Sequence, residues 1–197
     1  MGTAYNAVLA VGSGGTQGQG PYEASRIQTI KWAVDTAKVD VINMSERIPP
    51  TWYPPDSGKS RIAQFVDWAV GRGTPFVHAA GNEGATGVGS IGTPADCFNS
   101  IVVGATNRPG TTIVGYSSRG PATDGRIKPD IVASGGDGTG PGPPGGPAGD
   151  IYVADTSPQA SYAFVAGTSF ATPHTAGIVA MLRQARPEWT PGTLRKA

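Results

Sequence analysis

The chain has 197 residues with 38% hydrophobic content, which is long enough for one domain with a sizeable core. Its formal net charge is +1 and it has no cluster of lysine or arginine, so nucleic acid is not an expected partner. No stretch approaches the roughly 18 apolar residues of a membrane span, and residues 1–6 lack both regions of a signal peptide. We therefore expect a soluble protein, and the composition leaves its compartment unknown.

The predicted elements alternate between strands and helices, which is typical of an α/β fold with a mainly parallel sheet. The first part of the chain predicts a strand over 3–11, a glycine loop over 12–20, a helix over 22–38 and a strand over 39–44. A helix over 60–72 and strands over 74–79 and 101–105 follow. Shorter strands are predicted near 113–116, 131–133, 151–154 and 161–165, before a long helix over 169–185 and a last helix from Pro191.

The helix over 169–185 is apolar almost all round, so we expect it to be central and buried. Residues 134–150 are mostly glycine and proline and cannot form a packed element. We interpret them as a mobile surface excursion, and the alternative is that they line a site. The whole chain, 1–197, is then a single domain without an interdomain linker.

Ser169 stands among small residues where a predicted strand runs into this long helix. Gly167 and Ala171 leave room around its hydroxyl, and the first amides of the helix favour developing negative charge. These features suit a nucleophile. The alternative is that Thr168 or Ser169 only caps a buried helix.

Two further segments accompany Ser169. Residues 79–84 read Ala-Ala-Gly-Asn-Glu-Gly after an apolar strand, and residues 40–45 form a strand that ends at Ser45. In this order the three segments resemble the subtilisin-like serine proteases, the subtilases. The resemblance runs from about residue 5 to 194 and includes 93–96, 102–105, 116–121 and 128–133. It implies the C-terminal portion of a subtilase catalytic domain, a three-layer α/β/α fold with a mainly parallel sheet.

The resemblance assigns Ser169 as the catalytic nucleophile and the side-chain amide of Asn82 as an oxyanion donor, beside the backbone amide of Ser169. The residue types suit these roles. Gly81 and Gly84 leave the Asn82 amide without bulky neighbours, and an asparagine stays neutral at any working pH. Taken alone, Asn82 has a second interpretation as a turn residue that satisfies its own backbone.

The family's catalytic aspartate and its His-Gly-Thr motif do not occur in this sequence, so the usual base is absent. His174 follows Ser169 at about 140° round the same predicted helix and does not easily face the hydroxyl. His78 is nearer, on the strand that leads to Asn82, and is the candidate substitute base, although a strand alternates its faces. We therefore expect slow turnover of activated esters rather than rapid peptide cleavage.

The resemblance also assigns substrate-binding positions around the nucleophile, where an extended peptide pairs with strand edges. They are Ser45, Ala79, Ala80, Gly81, Gly167 and Thr168. After Ser45 the family usually has Leu-Gly-Gly, whereas residues 46–55 of this chain contain no glycine. Trp52 and Tyr53 in this loop form either an aromatic lip for a substrate or partner, or a locally packed pair.

The carboxylates predict no metal site, because no pair has a recognised ligand spacing such as that of the EF-hand loop. One alternative stays open, in which backbone carbonyls near Ala95 and Cys97 hold a weak cation. No other cofactor is expected. Cys97 is the single cysteine, so no internal disulfide can form.

In subtilases the strand that carries the aspartate lies between the strands that match 3–11 and 39–44. Its absence would leave a gap of about one strand spacing, roughly 4.8 Å, bordered by two exposed rows of backbone groups. The two strands then close up as a right-handed βαβ unit, a partner chain supplies the strand, or identical chains associate through the edge. We expect a shortened domain that self-associates or binds a complementing chain.

The leading hypothesis is a serine hydrolase that acts on peptide or ester acyl groups through Ser169 and Asn82, more slowly than an enzyme with a full triad. A second hypothesis is a non-catalytic remnant that binds peptides or partners through the loop with Trp52 and Tyr53 and through the sheet edge. A third is half of an enzyme, completed by a chain that supplies aspartate and histidine. The family is usually secreted.

Overall fold

The computed structural model describes residues 3–12, 19–46, 48, 57–140, 149–154 and 162–197. Its helices are α1 (Gln19–Asp35), α2 (Arg61–Gly71), α3 (Thr168–Ala185) and α4 (Pro191–Leu194). Its strands are β1 (Ile42–Met44), β2 (Phe76–Ala79), β3 (Ile101–Thr106), β4 (Ile131–Ser134), β5 (Ile151–Ala154) and β6 (Tyr162–Val165). A 3₁₀ turn, Gly84–Thr86, lies between β2 and β3. No helix in these ranges is long and apolar enough to cross a membrane.

Four strands form one parallel sheet in the order β1, β2, β3, β4. Met44 of β1 pairs with His78 of β2, which in turn pairs with Val102 of β3. Because the four strands run the same way, their carboxyl ends meet at one edge of the sheet, where α/β proteins bind ligands. The residues that follow β1 and β2 therefore lie together at this edge, as the predicted parallel fold requires.

Helices cover both faces of this sheet. Phe76 of β2 packs in one apolar cluster with Ile30 of α1 and Val66 of α2. Val77, the next residue along β2, packs in a different cluster with Ala171 and Val179 of α3. Successive side chains of a strand point to opposite faces, so α1 and α2 form one layer and α3 forms the other. This is the predicted three-layer α/β/α arrangement.

The sequence around α2 explains why that helix forms where it does. The Ser60 hydroxyl accepts a hydrogen bond from the Ala63 amide at 3.3 Å and caps the amino end of the helix. Ile62, Val66 and Ala69 stand at helical spacing and are fully buried, so the helix presents one apolar face to the sheet. Burial of a side chain such as Ile62 contributes about 1.5–3 kcal/mol. The helix predicted over 60–72 is confirmed.

Residues 3–11 do not form the predicted strand. They form a turn followed by irregular backbone, and Val8 and Val11 are 98% and 83% exposed. The segment runs across to α1, where Gly12 lies against Thr29, and a groove separates it from β1. Within the described part of the chain β1 pairs with β2 alone, so β1 is an edge strand. The first of the three alternatives, in which 3–11 closes up against the strand at 39–44, is therefore not what the structure shows.

Two smaller predictions are also corrected. The helix α3 is buried on one side only, because it contacts the sheet with one face and leaves Ile178 and Met181 47% and 43% exposed. Residues 113–116 form no strand, and Ile113 makes a single antiparallel bridge with Thr106 instead. In both cases an apolar sequence predicted a burial or a pairing that its surroundings do not provide.

The strands β5 and β6 form a separate antiparallel hairpin that leads into α3. Tyr152 stacks against Tyr162 and Phe164 on its exposed face, with ring centroids 4.9 Å apart in each pair. The strands predicted at 151–154 and 161–165 are confirmed. The second strand ends at Val165, two residues before Gly167 and three before the first residue of α3.

The glycine- and proline-rich stretch 134–150 is anchored at both ends. The buried Asp150 carboxylate accepts hydrogen bonds from the amides of Gly138 at 2.7 Å and Gly140 at 3.1 Å. The Asp150 amide donates to the Gly140 carbonyl at 2.8 Å, which closes the loop. The middle of the predicted mobile excursion, 141–148, lies outside the described residues.

Candidate active site

The carboxyl ends of β1 and β2 meet the amino end of α3. Ser45 directly follows β1, Asn82 stands shortly after β2, and Ser169 is the second residue of α3. The Ser169 hydroxyl donates a hydrogen bond to the Ser45 carbonyl at 3.0 Å. The parallel sheet thus brings into contact two predicted site residues that are 124 positions apart in the sequence.

Thr168 fixes the orientation of the Asn82 side chain. The amide oxygen Oδ1 of Asn82 accepts hydrogen bonds from the Thr168 amide at 3.0 Å and from the Thr168 hydroxyl at 2.9 Å. Because both bonds are accepted by the oxygen, the nitrogen Nδ2 is on the side of the amide away from Thr168, next to Gly167. Nδ2 lies 3.4 Å from the position that a Cβ atom on Gly167 would occupy.

Gly167 has no side chain in the space beside Asn82 Nδ2 and the Ser169 amide nitrogen. Its own amide donates to the Gly135 carbonyl at 2.8 Å, and its φ of 155° is one that residues with a side chain rarely adopt. The position of the missing Cβ atom lies 3.4 Å from Asn82 Nδ2 and 3.7 Å from the Ser169 amide nitrogen. Neutral N–H donors placed beside a nucleophile are what an oxyanion hole requires.

The loop that carries Asn82 is held by residues that the sequence analysis matched to the family without giving them a role. Ser118 donates its amide to the Gly81 carbonyl at 2.9 Å, and its hydroxyl accepts from the Glu83 amide at 3.1 Å. The Tyr116 carbonyl accepts from the Gly84 amide at 2.8 Å. The match over 116–121 was the available signal, because backbone bonds of this kind leave no pattern in the side chains.

Tyr116 also braces the backbone on the far side of Gly167. Its hydroxyl lies 2.8 Å from the Gly135 carbonyl and 2.7 Å from the Gly136 carbonyl, and burial raises the pKa of this phenol to about 12. The phenol therefore stays protonated at neutral pH. The Gly135 carbonyl also accepts the hydrogen bond from the Gly167 amide. Tyr116 therefore helps to hold the backbone to which Gly167 is bonded.

His78 lies on the wrong face of the sheet to act on Ser169. Its ring stacks with Phe76 at a centroid distance of 6.3 Å, and Phe76 belongs to the layer of α1 and α2, opposite α3. The ring is fully buried, and Nδ1 lies 2.7 Å from the Ala79 carbonyl. Desolvation lowers the pKa of His78 to about 4. This position does not fit the role of substitute base that the sequence analysis gave to His78.

His174 contacts a different part of the sheet. Its Nδ1 lies 3.1 Å from the Ser134 carbonyl at the end of β4. This placement agrees with the expectation that a residue five positions after Ser169 on one helix faces elsewhere. The chain has two histidines, and neither is hydrogen-bonded to the Ser169 hydroxyl.

Two segments predicted to contact substrate lie at the carboxyl ends of β1 and β2. At the end of β2, Ala79 and Ala80 are buried, and the Ala80 amide donates to the Val103 carbonyl at 3.0 Å. After β1, the segment that begins at Ser45 is tied to α1 by a bidentate ion pair between Glu46 and Arg26. Trp52 and Tyr53 lie outside the described residues.

A groove of about 490 Å³ runs between α1 and the open edge of β1. Its lining is more apolar than polar and includes Val11, Ile30, Ala33, Ile42, Ser45 and Glu46. The groove thus connects the unpaired edge of the sheet to the residue whose carbonyl contacts Ser169.

The carbonyls near Ala95 and Cys97 already have a cationic partner. The Arg126 guanidinium donates to the Asp96 and Cys97 carbonyls at 2.7 and 3.1 Å. The Cys97 thiol is buried, lies 2.7 Å from the Ser100 hydroxyl, and has its pKa raised to about 11 by burial. Across the described ranges, no three side chains of His, Cys, Asp or Glu gather in a group able to hold a metal ion.

Comparison with known proteins places this geometry in a family. The profile of the subtilase family matches residues 1–197. Subtilisin amylosacchariticus from Bacillus subtilis subsp. amylosacchariticus is 34% identical over 170 residues, which are 86% of this chain and 37% of that protein. An alkaline protease from Alkalihalobacillus alcalophilus is 34% identical over 191 residues, which are 96% of this chain and 41% of that protein.

Solved structures agree with the sequence comparison. A protease from Pseudoalteromonas arctica has a TM-score of 0.67 and 26% identity over 88% of this chain and 50% of its own. A psychrophilic protease has a TM-score of 0.64 and 29% identity over 89% of this chain and 54% of its own. The chain spans about half or less of the length of these relatives. With the family profile matched along its whole length, the chain belongs to the subtilase family.

Proposed function

We propose that this chain is a serine hydrolase that acts on peptide or ester acyl groups, with Ser169 as its nucleophile. Asn82 Nδ2 and the Ser169 amide would donate to the oxyanion. Membership of the subtilase family supports hydrolysis of the serine-protease type, with peptides as the substrate class. The observation that carries the proposal is the proximity of these two nitrogens, which lie 3.4 and 3.7 Å from the position that a Cβ atom on Gly167 would occupy.

The proposed reaction is acyl transfer to water through a covalent intermediate. The Ser169 Oγ attacks the acyl carbon and loses its proton, and the acyl oxygen becomes an oxyanion that accepts hydrogen bonds from the two donors. Collapse of this tetrahedral species expels the amine or alcohol, which carries away the proton lost by Oγ, and leaves an acyl-serine. Water then attacks the acyl-serine: its oxygen joins the acyl carbon, one of its protons goes to Oγ, and the carboxylic acid is released.

Removal of the serine proton is the slow part of this scheme for the described chain. The Ser169 hydroxyl donates to a backbone carbonyl, which is too weak a base to activate it. A leaving group of low pKa needs little protonation as it departs, so esters of acidic phenols are the substrates best suited to the chain by itself. We expect their turnover to be well below that of an enzyme with a complete triad.

The open edge of β1 favours a second candidate, in which the chain is one part of a complete subtilase. A strand from another segment or another polypeptide, lying parallel to β1 in the groove, would end beside Ser45 and Ser169. Such a strand could carry the missing carboxylate and lead to a histidine. The relatives are long enough to contain it, since this chain spans 37% and 41% of two of them.

Hydrolysis of p-nitrophenyl acetate and of a chromogenic peptide tests the proposal. Ser169→Ala is expected to abolish ester turnover, and Asn82→Ala to lower kcat by about 10²–10³ with little change in KM. The exposed Asn99→Ala is the matched control and is expected to keep the wild-type rate. Acylation of Ser169 by the ester, read by mass spectrometry, reports the first step independently of turnover. Equal rates in wild type and Ser169→Ala, with no acylated Ser169, would refute the catalytic role.

A further inference from the structure

The guanidinium of Arg126 is enclosed by oxygen atoms of the loop that leads into β3. Its two terminal nitrogens donate to the Asp96 carbonyl at 2.7 Å and the Cys97 carbonyl at 3.1 Å. Its third nitrogen, Nε, donates to the Asp124 carboxylate at 2.6 Å. All three nitrogens of the group therefore have an oxygen partner, and two of these partners are backbone atoms.

An aromatic face and a charged carboxylate complete this enclosure. The central carbon of the guanidinium lies 3.9 Å from the centre of the Phe98 ring, which is within cation–π range. The hydrogen bond from Arg126 lowers the pKa of Asp124, so this carboxylate is ionised at neutral pH. The Arg126 side chain is only 26% exposed. Arg126 is thus a cation in a fixed position rather than a solvated surface side chain.

The carbonyl and carboxylate oxygens around Arg126 are also suitable ligands for a small metal cation. Calcium binds backbone carbonyls and carboxylates, and a weak cation near Ala95 and Cys97 is the alternative left open by the sequence. The residues do not fit it, because a guanidinium already contacts the Cys97 carbonyl. The Lys128 ammonium, which pairs with Asp130 at 2.7 Å, donates to the Ser100 carbonyl at 3.2 Å. The carbonyls of this loop are therefore already occupied by cationic donors, and an added cation would have to compete with them for the same oxygens.

We propose that Arg126 is a tethered replacement for the cation that this loop would otherwise bind. The loop is then held without any supply of metal. Removal of the side chain vacates a site for a small cation, and free guanidinium fits it best because its planar donors match the same oxygens.

This loop supports the proposed active site from behind. It leads directly into β3, and the Val103 carbonyl of β3 accepts a hydrogen bond from the Ala80 amide at 3.0 Å. Ala80 stands two residues before Asn82. A cation supplied by the chain itself therefore helps to keep the strand beside the oxyanion loop in place, whatever the ionic conditions.

Thermal unfolding of the full chain tests the replacement. Arg126→Met is expected to lower Tm by about 5 °C, because two charged hydrogen bonds to the loop are lost. Millimolar guanidinium chloride, at ionic strength held constant with choline chloride, should restore part of this loss and leave the wild-type Tm unchanged. Calcium chloride and sodium chloride are added in parallel experiments, and Tm is measured in the same way. Arg119→Met, at an exposed arginine outside the loop, is the matched control and should keep the wild-type Tm.

A second variant keeps the test decisive if Arg126→Met does not fold. Arg126→Lys retains a charge but not the fork of donors, and its Tm is expected between those of wild type and Arg126→Met, with no response to added cations. A metal ion that raises the wild-type Tm as much as that of Arg126→Met would overturn the proposal, because the loop would then bind a cation beside Arg126. An Arg126→Met variant with the wild-type Tm, or with a loss that no cation restores, would also overturn it.

Discussion

The two sides of Ser169 differ in how completely the described chain builds them. On the side of Gly167, two hydrogen bonds from Thr168 fix Asn82, and Ser118 holds the loop around it. On the side of Ser45, the Ser169 hydroxyl meets a backbone carbonyl, β1 is the last strand of its sheet, and a groove of about 490 Å³ stands open. The donor side is held by its own hydrogen bonds, whereas the proton-accepting side is not completed by any described residue.

This difference reflects what each half of the proposed chemistry requires. Oxyanion donors are neutral N–H groups, which a fold can place by hydrogen-bonding the atoms next to them. A general base must be ionisable, must reach the hydroxyl, and must have a pKa near the working pH. His78 is ionisable but fails the other two conditions, because it is buried on the opposite face of the sheet and its pKa is about 4.

Completing the proton-accepting side should have the largest effect. An N-terminal fragment of a subtilase that carries the aspartate and histidine motifs, mixed with this chain, is expected to raise ester and peptide hydrolysis by at least about 10³-fold. The reason is that a strand in the groove along β1 would place those groups beside Ser169. Turnover is measured against fragment concentration. The same fragment with its histidine replaced by alanine is the control, and equal stimulation by both would show that the effect is not catalytic completion.

The fold could be predicted where burial depends on elements close in the sequence. The spacing of Ile62, Val66 and Ala69 predicts α2, and the apolar runs of β2 and β3 predict the centre of the sheet. Residues 3–11 show the limit of this approach. Their composition favours a strand, but a strand requires a hydrogen-bonded neighbour, and in the described chain that neighbour is absent. Ile178 of α3 shows the same limit, since it is apolar yet 47% exposed on the face of the helix away from the sheet.

The candidate site could be predicted only for residues whose type and sequence neighbours are distinctive. Ser169 and Asn82 stand out because glycine and alanine surround them. The contact of Thr168 with Asn82 spans 86 positions, and that of Ser169 with Ser45 spans 124. Neither contact leaves a pattern in the sequence, and the carbonyls that enclose Arg126 leave none either. Backbone acceptors are the same at every residue, so only the fold reveals which of them converge.

Acid destabilisation should distinguish a buried structural histidine from a base. The pKa of His78 in the folded chain, about 4, is below its ordinary value of 6.5, so the unfolded chain binds the proton more readily between these values. The free energy of unfolding is therefore expected to fall by up to about 3 kcal/mol as pH decreases from 6.5 towards 4. Urea unfolding at several pH values measures this slope, and His78→Asn should lose this part of it.

The same variant should leave the chemistry intact, because His78 lies on the face away from α3. At neutral pH and a temperature at which both proteins are folded, His78→Asn is expected to hydrolyse p-nitrophenyl acetate at the wild-type rate with the same pH–rate profile. Loss of hydrolysis in folded His78→Asn would show that His78 takes part in catalysis. An unchanged acid slope would show that another group controls the stability.

A side chain at position 167 should occupy the space proposed for the oxyanion and slow hydrolysis. In Gly167→Ala the added Cβ would lie 3.4 Å from Asn82 Nδ2, in the space proposed for the oxyanion, at a φ of 155°. We expect kcat for ester hydrolysis to fall by about 10²-fold, as for the loss of one oxyanion donor. Backbone strain should also lower the free energy of unfolding by about 1–3 kcal/mol. Gly192→Ala is the control, because only the Thr190 hydroxyl lies within reach of its Cβ. A Gly167→Ala enzyme as active as wild type would exclude an oxyanion beside Gly167.

Loosening Asn82 without touching its donor nitrogen should have the smallest effect. Thr168→Val removes the hydroxyl that donates to Asn82 Oδ1 at 2.9 Å but keeps the backbone bond at 3.0 Å, so the amide retains one of its two anchors. We expect kcat to fall by about 3–10-fold while KM changes little, because a net hydrogen bond of about 1 kcal/mol positions a group that acts in the transition state. Thr168→Ser keeps the hydroxyl, removes the methyl group that valine retains, and should keep the wild-type kcat. If Thr168→Ser loses activity and Thr168→Val does not, packing of the methyl group rather than the orientation of Asn82 is what Thr168 provides.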